Sequence, residues 1–536
     1  MVGVAGKSQA CNTCRERRLK CDMRRPFCRK CIKAKRECTG YDRDLIFVNR
    51  TPSSASTTAT SVLAERRASQ QPKRTSPNPT TEADLHRLFS ESWHNCHMFR
   101  QYAVRLLEAL YLPKQSVSRL GLPKASEGSF SWAYRLTDLL EPSKLLDNSL
   151  FAFCLAQLHV TSTGSVSLYQ CIDQYNTALR YLYADLDDPE RRSREETLAS
   201  ILILSTCELF VCPAEHGWSV HARGIAEILR LRDPEMANTP AWRHLFSRMR
   251  IICTLEALTK PQADILENDI WRQIVTESNF STPLDEVYRM VADIPAILEQ
   301  AIVLTSISDH DTLMREAAAV TQSLLAMINS IEFWHDEFWK ASLIPRAWLV
   351  PSCASNPADV DPSDRIFPLC FEFESLDVAV AVAMCWSVTA HLHSNVIQIY
   401  DLVEARLDRH ITLNYLMAQA EAPVVDATSL LEASSQNSRS YAAHKDRSIQ
   451  DVQSEGTRMA RQVCQSLEYF HRIEMGTYGG HATTYPCWSA RQYFRLHSGH
   501  EREMLWLQSL HDMKGPGTRW GLSMMTFADV IKLGAE

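Results

Sequence analysis

Six cysteines within the first forty residues, Cys11, Cys14, Cys21, Cys28, Cys31 and Cys38, repeat one spacing twice: Cys-x2-Cys-x6-Cys. A closed tetrahedral zinc site takes four thiolate or imidazole ligands, and this stretch offers six sulfurs and no histidine. One ion would leave two sulfurs over. Two Zn2+ ions need eight ligand places, so two cysteines must bridge. Under a pseudo-two-fold relating the halves, the bridging pair occupies equivalent positions, most simply Cys11 and Cys28, and each zinc then sees four sulfurs.

Two Zn2+ ions facing six thiolates leave a cluster of net charge about minus two, which nearby cations offset. Between the ligands lie Arg15, Arg17, Arg18, Lys20, Arg24, Arg25, Arg29, Lys30, Lys33, Lys35 and Arg36, against Glu16, Asp22 and Glu37. The apolar residues Leu19, Met23, Phe27 and Ile32 are too few for a core. Metal binding must therefore supply most of the folding free energy of this fragment. A disulfide framework and a loose metal trap are the competing readings. The first needs an oxidising compartment, and Met1 to Ala10 has no apolar stretch of signal-peptide length. The second has no use for duplicated spacing.

Cys11-Asn-Thr-Cys14-Arg15-Glu-Arg17-Arg18-Leu-Lys20-Cys21-Asp22, with Pro26 before Cys28, resembles the fungal zinc binuclear cluster transcription factors over residues 10 to 40. The resemblance implies two Zn2+ ions and a helix after the first Cys-x2-Cys that enters the DNA major groove. It also implies CGG-like triplets as the target. Arg18 stands where the family most often makes a base contact, usually with Lys, and a planar guanidinium fork differs from a lysine point charge.

Charge points to DNA without the resemblance. Residues 1 to 50 hold 14 Lys or Arg and 5 Asp or Glu, a balance of +9, whereas the whole chain has formal charge −6. A basic head therefore sits on an acidic body, and phosphate neutralisation by such a head gives salt-sensitive affinity. Arg17 and Arg18 have the shape for two-pronged contacts with guanine O6 and N7, and Arg15 and Lys20 are assigned to phosphates.

Residues 51–81, rich in Ser, Thr, Pro, Ala and Gln, read as a disordered linker. Their basic pairs Arg66-Arg67 and Lys73-Arg74 are spaced like a bipartite nuclear-import signal. No coiled coil follows the cluster, so any homodimer would form through the C-terminal body. That body, residues 82–536, is predicted to be all-helical. Leu198, Ile201, Leu202, Ser205 and Leu209 recur at helical steps, as do Trp218, Ala222, Ile225 and Leu229, which predicts a packed helical hairpin with one buried face on each arm. Further helices are expected over 84–111, 145–162, 167–186, 241–258, 285–305, 311–340, 374–408, 458–473 and 500–513. No strand is expected, and 420–455 reads as a mobile insertion. Glu196 to Pro234, with Trp218, His221, Gly224, Leu229 and Arg232 in order, resembles the fungal-specific transcription factor domain, which implies a regulatory body.

Catalytic signatures do not emerge. His391-x-His393, His497-x2-His500 and Cys207-x4-Cys212 each lack a third ligand at recognisable spacing, and their expected role is packing. There is no nucleophile elbow or phosphate-cradling loop, and 17 glycines in 536 residues argue against a nucleotide-binding α/β enzyme. The remaining cysteines read as reduced core residues. Phe371-Glu372-Phe373-Glu374 resembles a miniature activation segment, but it reads as the packed opening of an apolar helix. The longest apolar run, Val378 to Trp386, is too short for a bilayer that takes about 20 residues, so no membrane role is expected.

The expectation is a mainly α chain: a two-zinc module over 1–50, the linker, and a helical regulatory domain. It should be a nuclear, DNA-binding regulator of RNA polymerase II transcription that meets double-stranded DNA and the transcription machinery or coregulators. By resemblance it is a pathway-specific activator of metabolic or metabolite-cluster genes. The alternative is a zinc-dependent protein-interaction scaffold that reads no bases.

Overall fold

The computed structural model describes residues 13–14, 20–21, 29–34, 82–91, 96–114, 131–161, 166–211, 217–231, 240–260, 282–361, 363–419, 447–520 and 533. The chain divides into two compact units, Met1–Ser76 and Pro77–Glu536, with the boundary inside the expected linker. In the first unit Thr13 and Cys14 are helical, and α1 is the short helix Arg29–Lys33. Linker residues 51–81 and both basic pairs lie outside the described residues.

The second unit is helical, as its periodicity predicts. Its first half comprises α2 (Glu82–Glu91), α3 (Cys96–Leu110), α4 (Ser131–Arg135), α5 (Lys144–Thr161), α6 (Leu168–Leu186), α7 (Glu195–Val211), α8 (Gly217–Leu231) and α9 (Pro240–Thr259). The second half follows as α10 (Pro283–Met290), α11 (Ile294–Val303), α12 (His310–Lys340), strands β1 (Ala347–Pro351) and β2 (Leu369–Phe373), then α13 (Leu376–Leu407), α14 (Leu413–Met417), α15 (Ile449–Phe470), α16 (Gly476–Ala482), α17 (Thr484–Leu496) and α18 (Glu501–Gln508).

Two helices form the centres of these halves. α5, α6, α8 and α9 pack around α7, so the single buried face predicted for α7 is corrected: every residue from Glu196 to Val211 is buried. Its Ile-Leu-Ile-Leu run leaves no polar stripe for solvent, the pattern of a helix enclosed by its neighbours. The partner arm α8 behaves as predicted, burying Trp218, Ala222, Ile225 and Leu229. α13 is the second centre, gripped by α10, α12, α15 and α17. By length and composition this 32-residue helix could cross a membrane, yet 94% of its most apolar window is buried inside the protein, the placement of a core helix.

Side-chain caps set several boundaries. Ser167 with Gln170, Thr282 with Asp285, and Ser448 with Asp451 form reciprocal capping boxes that open α6, α10 and α15. The insertion predicted to reach residue 455 therefore ends sooner, because α15 starts at Ile449; residues 420–446 lie outside the described ones. The helix predicted over 285–305 is two helices joined by a 3-10 turn at Val291–Asp293. Pro295 lacks an N–H and would clash with the carbonyl one turn back, so one continuous helix cannot form there. The predicted helix over 84–111 is likewise two, α2 and α3.

Strands were not expected, yet β1 and β2 pair antiparallel with Ala347 opposite Phe373 and Pro351 opposite Leu369. The Phe-Glu-Phe segment is therefore strand rather than helix opening. It is packed all the same: Phe373 is buried, and Arg472 Nη1 donates to Glu372 Oε2 at 2.9 Å. α16 and α17 were also missed. Gly476 opens α16 with φ +61°, and a Cβ there would run into the carbonyl oxygens of Tyr111 and Leu112, so glycine is required for the C-terminal helices to close against the end of α3.

Candidate metal centre and nucleic-acid interface

In a helical turn, residues three apart share a face, so Cys-x2-Cys presents two thiols to one side. The structure places the second cysteine of each repeat on such a turn, Cys14 beside Thr13 and Cys31 within α1. Their side chains converge: Cys14 Sγ and Cys31 Sγ are 3.8 Å apart, and both residues are buried. The pair belongs to equivalent positions of the two repeats, which is the juxtaposition a pseudo-two-fold requires.

That separation discriminates between the chemical readings. A disulfide would hold the sulfurs at about 2.05 Å, and Cys14, Cys21 and Cys31 are thiols rather than half-cystines. Two sulfurs on one tetrahedral zinc with 2.3 Å bonds lie about 3.8 Å apart, which fits Cys14 and Cys31 as ligands of a common ion and not as terminal ligands of separate ions, the arrangement that bridging by Cys11 and Cys28 would give. The residues present therefore fit zinc. Cys21 is half-buried beside them in sequence terms, while Cys11, Cys28 and Cys38, including the expected bridging pair, lie outside the described residues.

The cations take the opposite placement. Lys30 and Lys33 are exposed on the helix that buries Cys31, and Lys20 is exposed next to Cys21. Sulfur inward and ammonium outward is the arrangement needed to offset a thiolate cluster and to meet a polyanion. Arg15, Arg17 and Arg18 lie outside the described residues, so of the four residues predicted to touch DNA the structure places Lys20.

The histidine pairs of the body are packing groups. His391 Nδ1 meets the Tyr485 hydroxyl at 3.2 Å, and His393 Nδ1 donates to the Thr389 carbonyl at 2.8 Å. Burial holds each ring down to about 4, so both are neutral at physiological pH. His497 Nε2 lies 2.9 Å from Ser394 Oγ, and His500 packs at a tilt against Phe494 and Tyr493. Among the described residues no three His, Cys, Asp or Glu converge as a metal site. The core reading of the body's cysteines needs one correction, since Cys353 is exposed in the loop after β1. Sequence reasoning missed the buried network of Arg248, His481 and Tyr111, whose members are too far apart in the chain to leave a local pattern.

Comparison with known proteins agrees with this geometry. Residues 9–45 match the fungal Zn(2)-Cys(6) binuclear cluster domain, and residues 96–343 match the fungal specific transcription factor domain. An uncharacterised transcriptional regulatory protein of Schizosaccharomyces pombe is 30% identical over 151 residues, 28% of this chain and 24% of that protein. An uncharacterised protein of Emericella nidulans is 27% identical over 122 residues, 22% of this chain and 26% of its own length. The transcriptional regulatory protein moc3 of Schizosaccharomyces pombe is 61% identical over 31 residues, 6% of either chain. The matches span at most 26% of the length of these curated relatives. No solved structure matches. Both matched families are transcription regulators rather than enzymes, and the chain carries the two domains in this order, the zinc cluster first and the transcription factor domain after it.

Proposed function

We propose that this protein is a sequence-specific DNA-binding regulator of RNA polymerase II transcription, acting in the nucleus as a pathway-specific activator of metabolic or metabolite-cluster genes. The observation that carries the reading is the buried pair Cys14 and Cys31, 3.8 Å apart within a strongly basic head. Cys11, Cys14, Cys21, Cys28, Cys31 and Cys38 would hold two Zn2+ ions between them, two of the six sulfurs bridging. When bound, zinc would supply the folding free energy that Leu19, Met23, Phe27 and Ile32 between the cysteines cannot.

Lys20 and Arg15 bind backbone phosphates and set the register of the head on the duplex. Arg17 and Arg18 donate to guanine O6 and N7 in the major groove, which favours CGG-like triplets. The helical body supplies any homodimer contact and the surface for coregulators. The rest of the chain, residues 51–536 with a formal charge of −15, repels the phosphate backbone and leaves that task to the head.

Selection of bound sequences from a random DNA library by the zinc-loaded full chain tests the reading, repeated after chelation and at raised salt. Enrichment of a CGG-type triplet, lost on chelation, is the expected result, and one against two triplets reports monomer or dimer. Sequence-blind retention that disappears with salt would instead favour the interaction-scaffold reading.

A further inference from the structure

Among the described residues of the helical body, one buried guanidinium is left unanswered by a carboxylate. Arg100 is paired with Asp147, Arg250 with Asp285, Arg346 with Glu374 and Arg472 with Glu372. Arg248 on α9 is 9% exposed, and among the described residues no carboxylate lies within ion-pair distance of it. Its Nη2 donates to His481 Nε2 at 3.0 Å, and its Nε has no hydrogen-bond partner. A guanidinium keeps its charge at every physiological pH, and a buried unpaired charge is strongly unfavourable.

His481 cannot provide the missing anion. Because the guanidinium only donates, Nε2 of the ring must accept, which puts the ring proton on Nδ1, 2.9 Å from the Tyr111 hydroxyl. Burial, reinforced by the charge of Arg248, holds the imidazole far below its usual range, so it stays neutral. His481 thus positions the guanidinium without neutralising it.

Arg248 and His481 border a cavity of about 50 Å³ whose other walls include Trp218, Leu284, Val380, Met384, Tyr288 and Tyr485. This is room for roughly four waters or one small organic molecule. Among the described residues the Tyr288 hydroxyl donates to the Met384 sulfur, a weak acceptor at 3.9 Å, and is available to a better one. One fixed positive charge, one donating phenol and apolar walls define the complement. Inorganic phosphate or sulfate would bury further oxygens against hydrocarbon, and a dicarboxylate would bury a second charge with no second cation.

We propose that this cavity binds a short-chain organic monocarboxylate, its two oxygens taken by Arg248 and the Tyr288 hydroxyl and its hydrocarbon part lying against Trp218, Leu284 and Val380. The inference stands apart from the DNA-binding reading, since it concerns residues outside the cysteine-rich head.

The test is thermal unfolding of the zinc-loaded full chain titrated with sodium butyrate, with butyramide as the uncharged analogue and sodium chloride at matched ionic strength. A saturable rise in Tm of several degrees with butyrate, absent with butyramide and chloride, is expected. Arg248→Met, which keeps the length of the stem and removes the charge, abolishes the rise. No saturable rise with butyrate, propionate or acetate would overturn the proposal, as would an equal rise with butyramide or an undiminished rise in R248M. If R248M does not fold, the comparison of acid and amide on the unmodified chain decides alone.

Discussion

Arg100 Nε donates to Asp147 Oδ1 at 2.8 Å with the arginine wholly enclosed between α3 and α5. The remaining guanidinium nitrogens reach the carbonyls of Leu139 and Glu141, so this one side chain ties α3, α5 and the segment before α5 together. Burial pushes the Asp147 carboxyl up and Arg100 opposes that shift, so the pair depends on both members. Arg100→Leu leaves a carboxylate buried without its cation, and a loss of roughly 3–5 kcal/mol is expected in chemical denaturation. The double change Arg100→Leu with Asp147→Leu should recover much of that loss; a double mutant as unstable as the sum of the singles would contradict the account.

Stability should fall steeply on the acid side of neutrality. His391, His393 and His471 are held at about 4 by burial, against 6.5 for an ordinary histidine. Between those values the unfolded chain binds protons that the folded chain refuses, so their stabilising contribution is complete above 6.5 and is lost as pH falls toward 4. Each ring contributes a slope of about 1.4 kcal/mol per pH unit inside that window. Urea melts at stepped pH check this, and His391→Asn should flatten the slope by one histidine's share.

Gly476→Ala should destabilise the body more than an exposed Gly→Ala change does elsewhere. The residue has φ +61°, and its added methyl would collide with the Tyr111 carbonyl. Backbone strain and displacement add, for a loss on the order of 2 kcal/mol or more in thermal unfolding. A variant as stable as the parent would mean that α16 can move away from the end of α3 at no cost.

Zinc removal should act on the head alone. Cys14→Ser and Cys31→Ser are expected to lower the metal content below two zinc per chain by elemental analysis, and to abolish retention on DNA. Chelation should do the same while leaving far-UV circular dichroism nearly unchanged, because the six cysteines proposed as ligands all precede the helical body. A large loss of helix on chelation would place structural metal in the body.

Arg18→Ala and Lys20→Ala should separate reading from holding. The first is expected to relax preference at one base pair, by about 1–3 kcal/mol between matched and mismatched DNA. The second should weaken all sequences alike and reduce the salt slope by about one. Binding curves at several salt concentrations distinguish the two patterns.

The approach of Cys14 to Cys31 was foreshadowed in the sequence by the duplicated spacing, since each Cys-x2-Cys sets its thiols on one face of a turn. The hairpin of α7 and α8 was legible for the same reason, from apolar residues at helical steps. β1 and β2 were not, because Phe371, Glu372 and Phe373 are all at least partly covered and the alternation that betrays a strand is erased. α16 and α17 escaped since Thr477, Thr484, Ser489 and Gln492 are polar yet buried. Arg248 with His481 left no sign either, being brought together by the closure of the domain.

That closure has a cost in time. The hydrogen bond between Tyr111 and His481 joins positions 370 residues apart, so α3 cannot find its final partner until nearly the whole body has been made. At ribosomal speeds of about 5–20 residues per second, the wait is roughly 20 to 70 s. α7 is covered by α5, α6, α8 and α9, all made by residue 259, so what waits through that interval is the end of α3 with Tyr111, the surface that α16 later closes.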